Sequence, residues 1–116
     1  MDNLYYYKAH VTYIYNGNTI VCDIDCGFGL ILTKRKIRLF GIDTPELRSE
    51  DYEKGLYVRN ILKNKIQGKN VIIQIIKDKQ GKYGRYLGII YLLDDDKYTN
   101  INEWLVKNGH AIRYKV

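Results

Sequence analysis

The chain has little proline, cysteine or histidine, and no long apolar run. Its two cysteines, Cys22 and Cys26, stand four residues apart. On one strand that places them about 13 Å from each other, too far for a mutual disulfide. Their spacing is not that of a zinc site, and no histidine is near them in sequence. Both are therefore expected to be reduced core thiols. No apolar run approaches 18 residues, which excludes a transmembrane helix and makes a membrane partner unexpected. The first residues, Met1-Asp2-Asn3-Leu4-Tyr5, lack the basic-then-apolar pattern of a secretory signal. As written, the chain is expected to be intracellular, unless a signal has been removed. His10 and His110 are linked by nothing in the sequence and read as structural or surface residues. Asp94-Asp95-Asp96 lacks the ligand spacing of a calcium loop and reads as a solvated turn.

What is present is a basic, tyrosine-rich chain of 116 residues with a formal charge of +6 and a pI near 9.2. The length indicates one domain over 1–116. It is long enough to bury roughly two-thirds of its unfolded surface without staples. The charge favours polyanion partners, although a generic solubilising charge gives the same balance. Twelve tyrosines could stack on bases, but they are also good strand residues, and most are expected to lie half-buried on a sheet.

The hydrophobic pattern gives a first strand over Tyr5 to Tyr15, a hairpin signal at Asn16-Gly17, where both residues tolerate positive φ, and a second strand over Thr19 to Cys26. On that strand Ile20, Cys22, Ile24 and Cys26 share one face, and Val21, Asp23 and Asp25 the other. Gly27-Phe28-Gly29 turns the chain. A third strand runs from Leu30 to about Ile42, with a bend near Thr33-Lys34-Arg35-Lys36. Ser49 caps a helix carrying Val58, Ile61, Leu62 and Ile66 at helical spacing, with Gly68 at its C′ position. A short buried strand follows over Val71 to Ile76, then a wide turn over 78–84, then a fifth strand over Arg85 to Leu93. Asn100 with Glu103 starts a short helix through Asn108, closed by Gly109. Five strands with a helix after the third and another at the end predict a mainly β (α+β) fold, a small OB-type barrel.

The stretch that organises the chain is Ile37-Arg38-Leu39-Phe40-Gly41-Ile42-Asp43-Thr44-Pro45-Glu46. Two carboxylates flank the only proline, which cannot donate to a sheet ladder and biases Thr44 to an extended conformation. One cation and two anions at a strand end suit a metal-bound phosphate. An Asx-turn leading into a helix, with Glu46 solvated, is the plainer reading of the same residues. Together with Lys82-Tyr83-Gly84-Arg85-Tyr86-Leu87-Gly88, Asn16-Gly17-Asn18-Thr19, Asn102-Glu103-Trp104-Leu105-Val106 and Gly109-His110-Ala111, in that order along the chain, this stretch resembles the staphylococcal nuclease (thermonuclease) family. The resemblance covers nearly the whole chain. It departs at Asn18, where the family has an acidic metal ligand.

The resemblance implies a five-stranded OB-fold barrel with two helices, the family's further C-terminal helix being absent. It implies a Ca²⁺-dependent nuclease that cuts DNA and RNA to 3′-phosphate ends. Asp43, the Thr44 carbonyl and Asn18 would hold Ca²⁺. Glu46 would orient or deprotonate the attacking water. Arg38 and Arg85 would fork onto phosphate oxygens, and Lys82, Tyr83 and Leu87 would hold the nucleotide. Asparagine keeps an oxygen at position 18 but drops a charge, so weakened metal binding and impaired activity are expected. The alternative is a non-catalytic barrel that binds single-stranded nucleic acid. In either case the partner is nucleic acid, preferably single-stranded, and a monomer is expected.

Overall fold

The computed structural model describes residues 5–45, 52–80 and 86–113, and the side chains of 77–80 are left aside. Among these residues, strands β1 (Tyr6–Asn16), β2 (Thr19–Asp25) and β3 (Ile31–Leu39) form an antiparallel meander. A two-residue strand, β4 (Ile42–Asp43), precedes helix α1 (Tyr52–Ile66). Strands β5 (Asn70–Gln80), β6 (Tyr86–Asp94) and β7 (Lys97–Asn100) follow. Helix α2 (Ile101–Lys107) and a second two-residue strand, β8 (Ile112–Arg113), end the order.

The period-two pattern, reset in β1 by a bulge between Val11 and Tyr13, decides what faces inward. Val11 and Ile14 of β1, Ile20, Cys22 and Ile24 of β2, and Ile37 and Leu39 of β3 are buried together with Ile73 and Ile90 of β5 and β6. Helix α1 closes this core with Val58, Leu62 and Ile66, one residue per turn on one face. The sheet order β3-β2-β1-β5-β6 returns on itself through a parallel pairing of β3 with β6, which makes a closed five-stranded barrel of the OB kind. Gly88 sits at that seam. A Cβ there would fall 2.8 Å from Ile37 Cγ2 and 3.2 Å from Ile73 Cγ2, so a larger residue would force the two strands apart.

Several boundaries differ from the sequence expectation. The third strand does not run to Ile42. It ends at Leu39, and the chain turns through Gly41 at φ 79° before β4 begins. The Phe40 N–H is drawn to the Gly88 carbonyl at 2.8 Å, which fixes the break against the seam. The bend in β3 is a bulge at Lys34 (φ 55°), whose N–H donates to Asp23 Oδ1 at 2.9 Å. The strand expected to stop at Ile76 continues to Gln80. Asn100 caps α2 as expected, its side-chain oxygen accepting from the Glu103 N–H. Asp95 and Asp96, both at positive φ, form the turn between β6 and β7. The helix cap expected at Ser49 lies outside the described residues. No described helix is long and apolar enough to cross a membrane.

Candidate functional site

The tight turn between β1 and β2 brings the first piece of the site into place. Its two central residues are Gly17 and Asn18, and neither has positive φ. The glycine is needed for a different reason from the one expected. A Cβ on Gly17 would lie 2.7 Å from Val58 Cγ1 and 3.0 Å from Thr44 Oγ1. The turn is thus pressed against both α1 and the residue after Asp43, which larger side chains would prevent. The Asn16 side chain holds the turn by accepting from the Asn18 N–H at 2.9 Å. The Asn18 carbonyl accepts from Leu39 N–H at 2.7 Å, tying the turn to the end of β3.

Arg38 and Asp43 complete the described part. Arg38 alternates outward between buried Ile37 and Leu39. Its Nη2 stands 3.6 Å from Asp43 Oδ1 and its Nη1 donates to the Leu39 carbonyl at 3.0 Å. Asp43 Oδ1 also accepts from the Thr44 N–H at 3.0 Å, a contact with the next residue; an Asx-turn would reach residue 45, which is proline and has no N–H. The Arg38 side chain is mostly covered (17% exposed), whereas that of Asp43 is open to solvent (46%). Asn18 Oδ1 accepts the Thr19 hydroxyl at 2.9 Å. Thr44 is buried, and among the described residues its Oγ1 has no hydrogen-bond partner.

This donor set tests whether a hard cation fits. Asn18 Oδ1, the Asp43 carboxylate and the Thr44 carbonyl are all oxygens, the ligand type that Ca²⁺ takes. Only one of the three groups is charged, and a guanidinium already faces it. Among the described residues no group of three or more His, Cys, Asp or Glu side chains could hold a metal. The set fits Ca²⁺ in chemistry and is poor in charge.

Leu87 lies in β6, in register with Arg38 across the parallel seam. Paired residues of neighbouring strands share a face, so Leu87 stands beside Arg38 on the outer side of the barrel, 7% exposed. Glu46, Lys82, Tyr83 and Arg85 lie outside the described residues. His10 is an exposed residue whose Nδ1 bonds Asn70 Oδ1 at 2.8 Å. His110 packs edge-on to Tyr57 and tilted to Trp104. Neither histidine joins Arg38 and Asp43. Of the two thiols Cys22 is fully buried, and burial, with Asp23 beside it, pushes its pKa up to about 12. Cys26 is only half-buried at the margin of the core.

Sequence reasoning did not single out Asn102 as a positioning residue. It is 3% exposed, and its amide donates to the Phe40 carbonyl at 2.9 Å and the Gly88 carbonyl at 3.1 Å, while its oxygen accepts from Ile90 N–H. One side chain therefore ties α2 to β6 and to the chain break that precedes Asp43. The available signal was an amide inside the first turn of a short helix whose neighbours Ile101 and Leu105 are core. A second tie is the two-pronged Arg113–Glu103 pair, 2.7 Å on both prongs. It fixes β8 to α2, and β8 in turn pairs with β4, Ile112 opposite Asp43.

A sequence model described as staphylococcal nuclease homologue matches residues 36–116. An uncharacterized protein of Methanocaldococcus jannaschii is 28% identical over 135 residues, covering 98% of this chain and 62% of its own length. Probable staphylococcal-like nuclease CAN3 of Oryza sativa subsp. japonica is 38% identical over 93 residues, covering 79% of this chain and 22% of its own. The rice protein CAN2, with the same description, is 37% identical over 93 residues and 23% covered. The chain thus spans less than two thirds of the archaeal relative and less than a quarter of the rice proteins.

Proposed function

The chain belongs to the staphylococcal nuclease homologue family, and we propose that it is a Ca²⁺-dependent nuclease hydrolysing the phosphodiester bonds of DNA and RNA to 3′-phosphate ends. The observation that carries this reading is the approach of Arg38 to Asp43 at 3.6 Å, beside the Asn18 turn. A phosphodiester repels nucleophiles. Its hydrolysis needs a cation on the phosphate, a positioned water and donors for charge gathering on the equatorial oxygens. Arg38, outward-facing and held by the Leu39 carbonyl, offers a planar fork for two phosphate oxygens. Asp43, Asn18 and the Thr44 carbonyl are the proposed holders of Ca²⁺, which when bound neutralises phosphate charge. The remaining roles follow from the family likeness. Glu46 orients or deprotonates water, Arg85 is the second clamp, and Lys82, Tyr83 and Leu87 hold the nucleotide. The protein is proposed to act as a monomer, preferring single strands.

A second reading is a barrel that binds nucleic acid without cutting it. It is favoured by how self-sufficient the described part of the site is. Asp43 is neutralised by Arg38, and the Asn18 oxygen is engaged by Thr19. Incubation of single-stranded DNA with the protein in excess Ca²⁺ separates the two readings, with a chelator control. Cleavage that the chelator abolishes supports the nuclease. Retarded but intact DNA at saturating Ca²⁺ overturns it and leaves the binding barrel.

A further inference from the structure

We infer that the nucleic-acid contact surface continues from Arg38 across the outer face of β3, β2 and β1, where Lys36 and Arg59 take phosphates and Tyr15 and Tyr13 offer ring faces to bases. The inference rests on the nucleic-acid reading of the Arg38 site and assigns a track beyond it.

The strand pairing builds this surface. Lys36 and Arg38 lie two residues apart on β3, so both project to the outer face about 6.6 Å from each other. Lys36 is paired with Val21 of β2, and Val21 with Tyr13 of β1. One row across the sheet therefore runs from a lysine to a tyrosine, next to the row that contains Arg38 and Thr19. Lys36 Nζ stands 4.8 Å from the centre of the Tyr15 ring. At the far end Arg59 reaches in from α1. Its guanidinium carbon lies 5.4 Å from the centre of the Tyr13 ring, its Nη2 donates to the Tyr13 hydroxyl, and its Nε donates to the Ile14 carbonyl.

Two features suit this face to a single strand. Among the described residues neither cation is within ion-pair distance of a carboxylate, while Arg38, Lys65 and Arg113 all are. Both tyrosine rings are about half exposed, at 48% and 50%, although aromatic rings are the groups a sheet most readily buries. Cations beside open rings, leading away from a phosphate-binding arginine, are the make-up of a single-strand groove: charge follows the backbone and rings stack on bases. A duplex keeps its bases inside and gains nothing from the rings.

The test is fluorescence anisotropy with a labelled 12-residue oligothymidylate in chelator, so that binding is read without cleavage, across a salt series. Each phosphate contact on a single strand contributes about 0.7 to the slope of log K against log salt. Lys36→Gln should lower the slope by about 0.7, and Lys36→Gln with Arg59→Gln by about 1.4. Tyr15→Leu should weaken the 12-mer about tenfold and leave binding of a 12-base-pair duplex unmoved. Lys36 and Tyr15 are exposed, so these variants fold even if loss of the Arg59 bond to Ile14 disturbs β1. Parent-like affinity and slope in Lys36→Gln and Tyr15→Leu overturn the track, as does a parent that does not bind the 12-mer. Cleavage by the parent in Ca²⁺ is scored separately. Cutting with unaffected 12-mer binding removes the track and keeps the nuclease; no cutting with weakened binding does the reverse.

Discussion

Arg38 Nη2 and Asp43 Oδ1 stand 3.6 Å apart although the two residues belong to different sheets. Arg38 is on β3, in the barrel wall, and Asp43 is on β4, which among the described residues pairs with β8. The break at Phe40-Gly41 lets the chain leave the barrel and fold back over its own arginine. Replacing Arg38 with lysine keeps the charge toward Asp43 and removes the fork. If Arg38 clamps a phosphate, Arg38→Lys should lower the cleavage rate about 10²- to 10³-fold with an unaltered melting temperature. Parent-like cleavage would show that this arginine serves Asp43 alone.

Gly17→Ala should destabilise the fold. The added Cβ meets Val58 Cγ1 at 2.7 Å and Thr44 Oγ1 at 3.0 Å, and Val58 is fully packed in α1. Overpacking of this sort costs about 1–3 kcal/mol, readable as a shift of the urea midpoint at constant slope. The nearby Gly41, at φ 79° with no atom in reach of a Cβ, would respond to backbone strain instead.

Asn102→Ala should cost about 3 kcal/mol, because it strands the Phe40 carbonyl and the Ile90 N–H in a buried setting and takes one of two donors from the Gly88 carbonyl, which keeps the Phe40 N–H. Any cleavage activity should fall further than stability alone explains, since the Phe40 tie sets where β4 starts. Urea unfolding paired with rate measurements well below the midpoint checks both parts. An activity that tracks only the folded fraction would remove the positioning role.

What was legible in the sequence was local. The Asn100–Glu103 cap, the Asp95-Asp96 turn and the inward set Ile20, Cys22 and Ile24 depend on neighbours in the chain, and all three are seen. The barrel followed from the element order together with the family likeness. Strands β4 and β8 were not legible, because two residues carry no period. In the sequence Gly17 reads as a hairpin residue that tolerates positive φ, whereas its requirement is space beneath Thr44 and Val58, which only the tertiary packing creates. Leu87 was expected near the nucleotide. Its neighbourhood with Arg38 depends on the parallel seam, a pairing between strands separated by a helix and two other strands.

The thiols give a prediction from titration. Burial raises the Cys22 pKa from 9.0 to about 12, so the folded state keeps the proton that the unfolded chain releases. The stability tied to this group is intact below about pH 9 and is lost as pH rises from there toward 12. The stability difference between the parent and Cys22→Ala should narrow over that range. At pH 8 a thiol reagent should modify Cys26 in the native protein and reach Cys22 only in denaturant. Equal rates for both thiols would show that Cys22 is open.

If Asn18 is a Ca²⁺ ligand as proposed, it contributes an oxygen without the charge of a carboxylate. Asn18→Asp keeps the oxygen that accepts from Thr19 and adds a carboxylate to the face that holds Asp43. Calorimetric titration with Ca²⁺, run beside cleavage of single-stranded DNA on the parent and Asn18→Asp, is the most direct measurement. The nuclease reading predicts tighter Ca²⁺ binding and faster cleavage at limiting Ca²⁺ for Asn18→Asp, with the gain shrinking at saturation. It also predicts lower stability without metal, from carboxylate repulsion, recovered on adding Ca²⁺. No Ca²⁺ binding and no cleavage in either protein would contradict it.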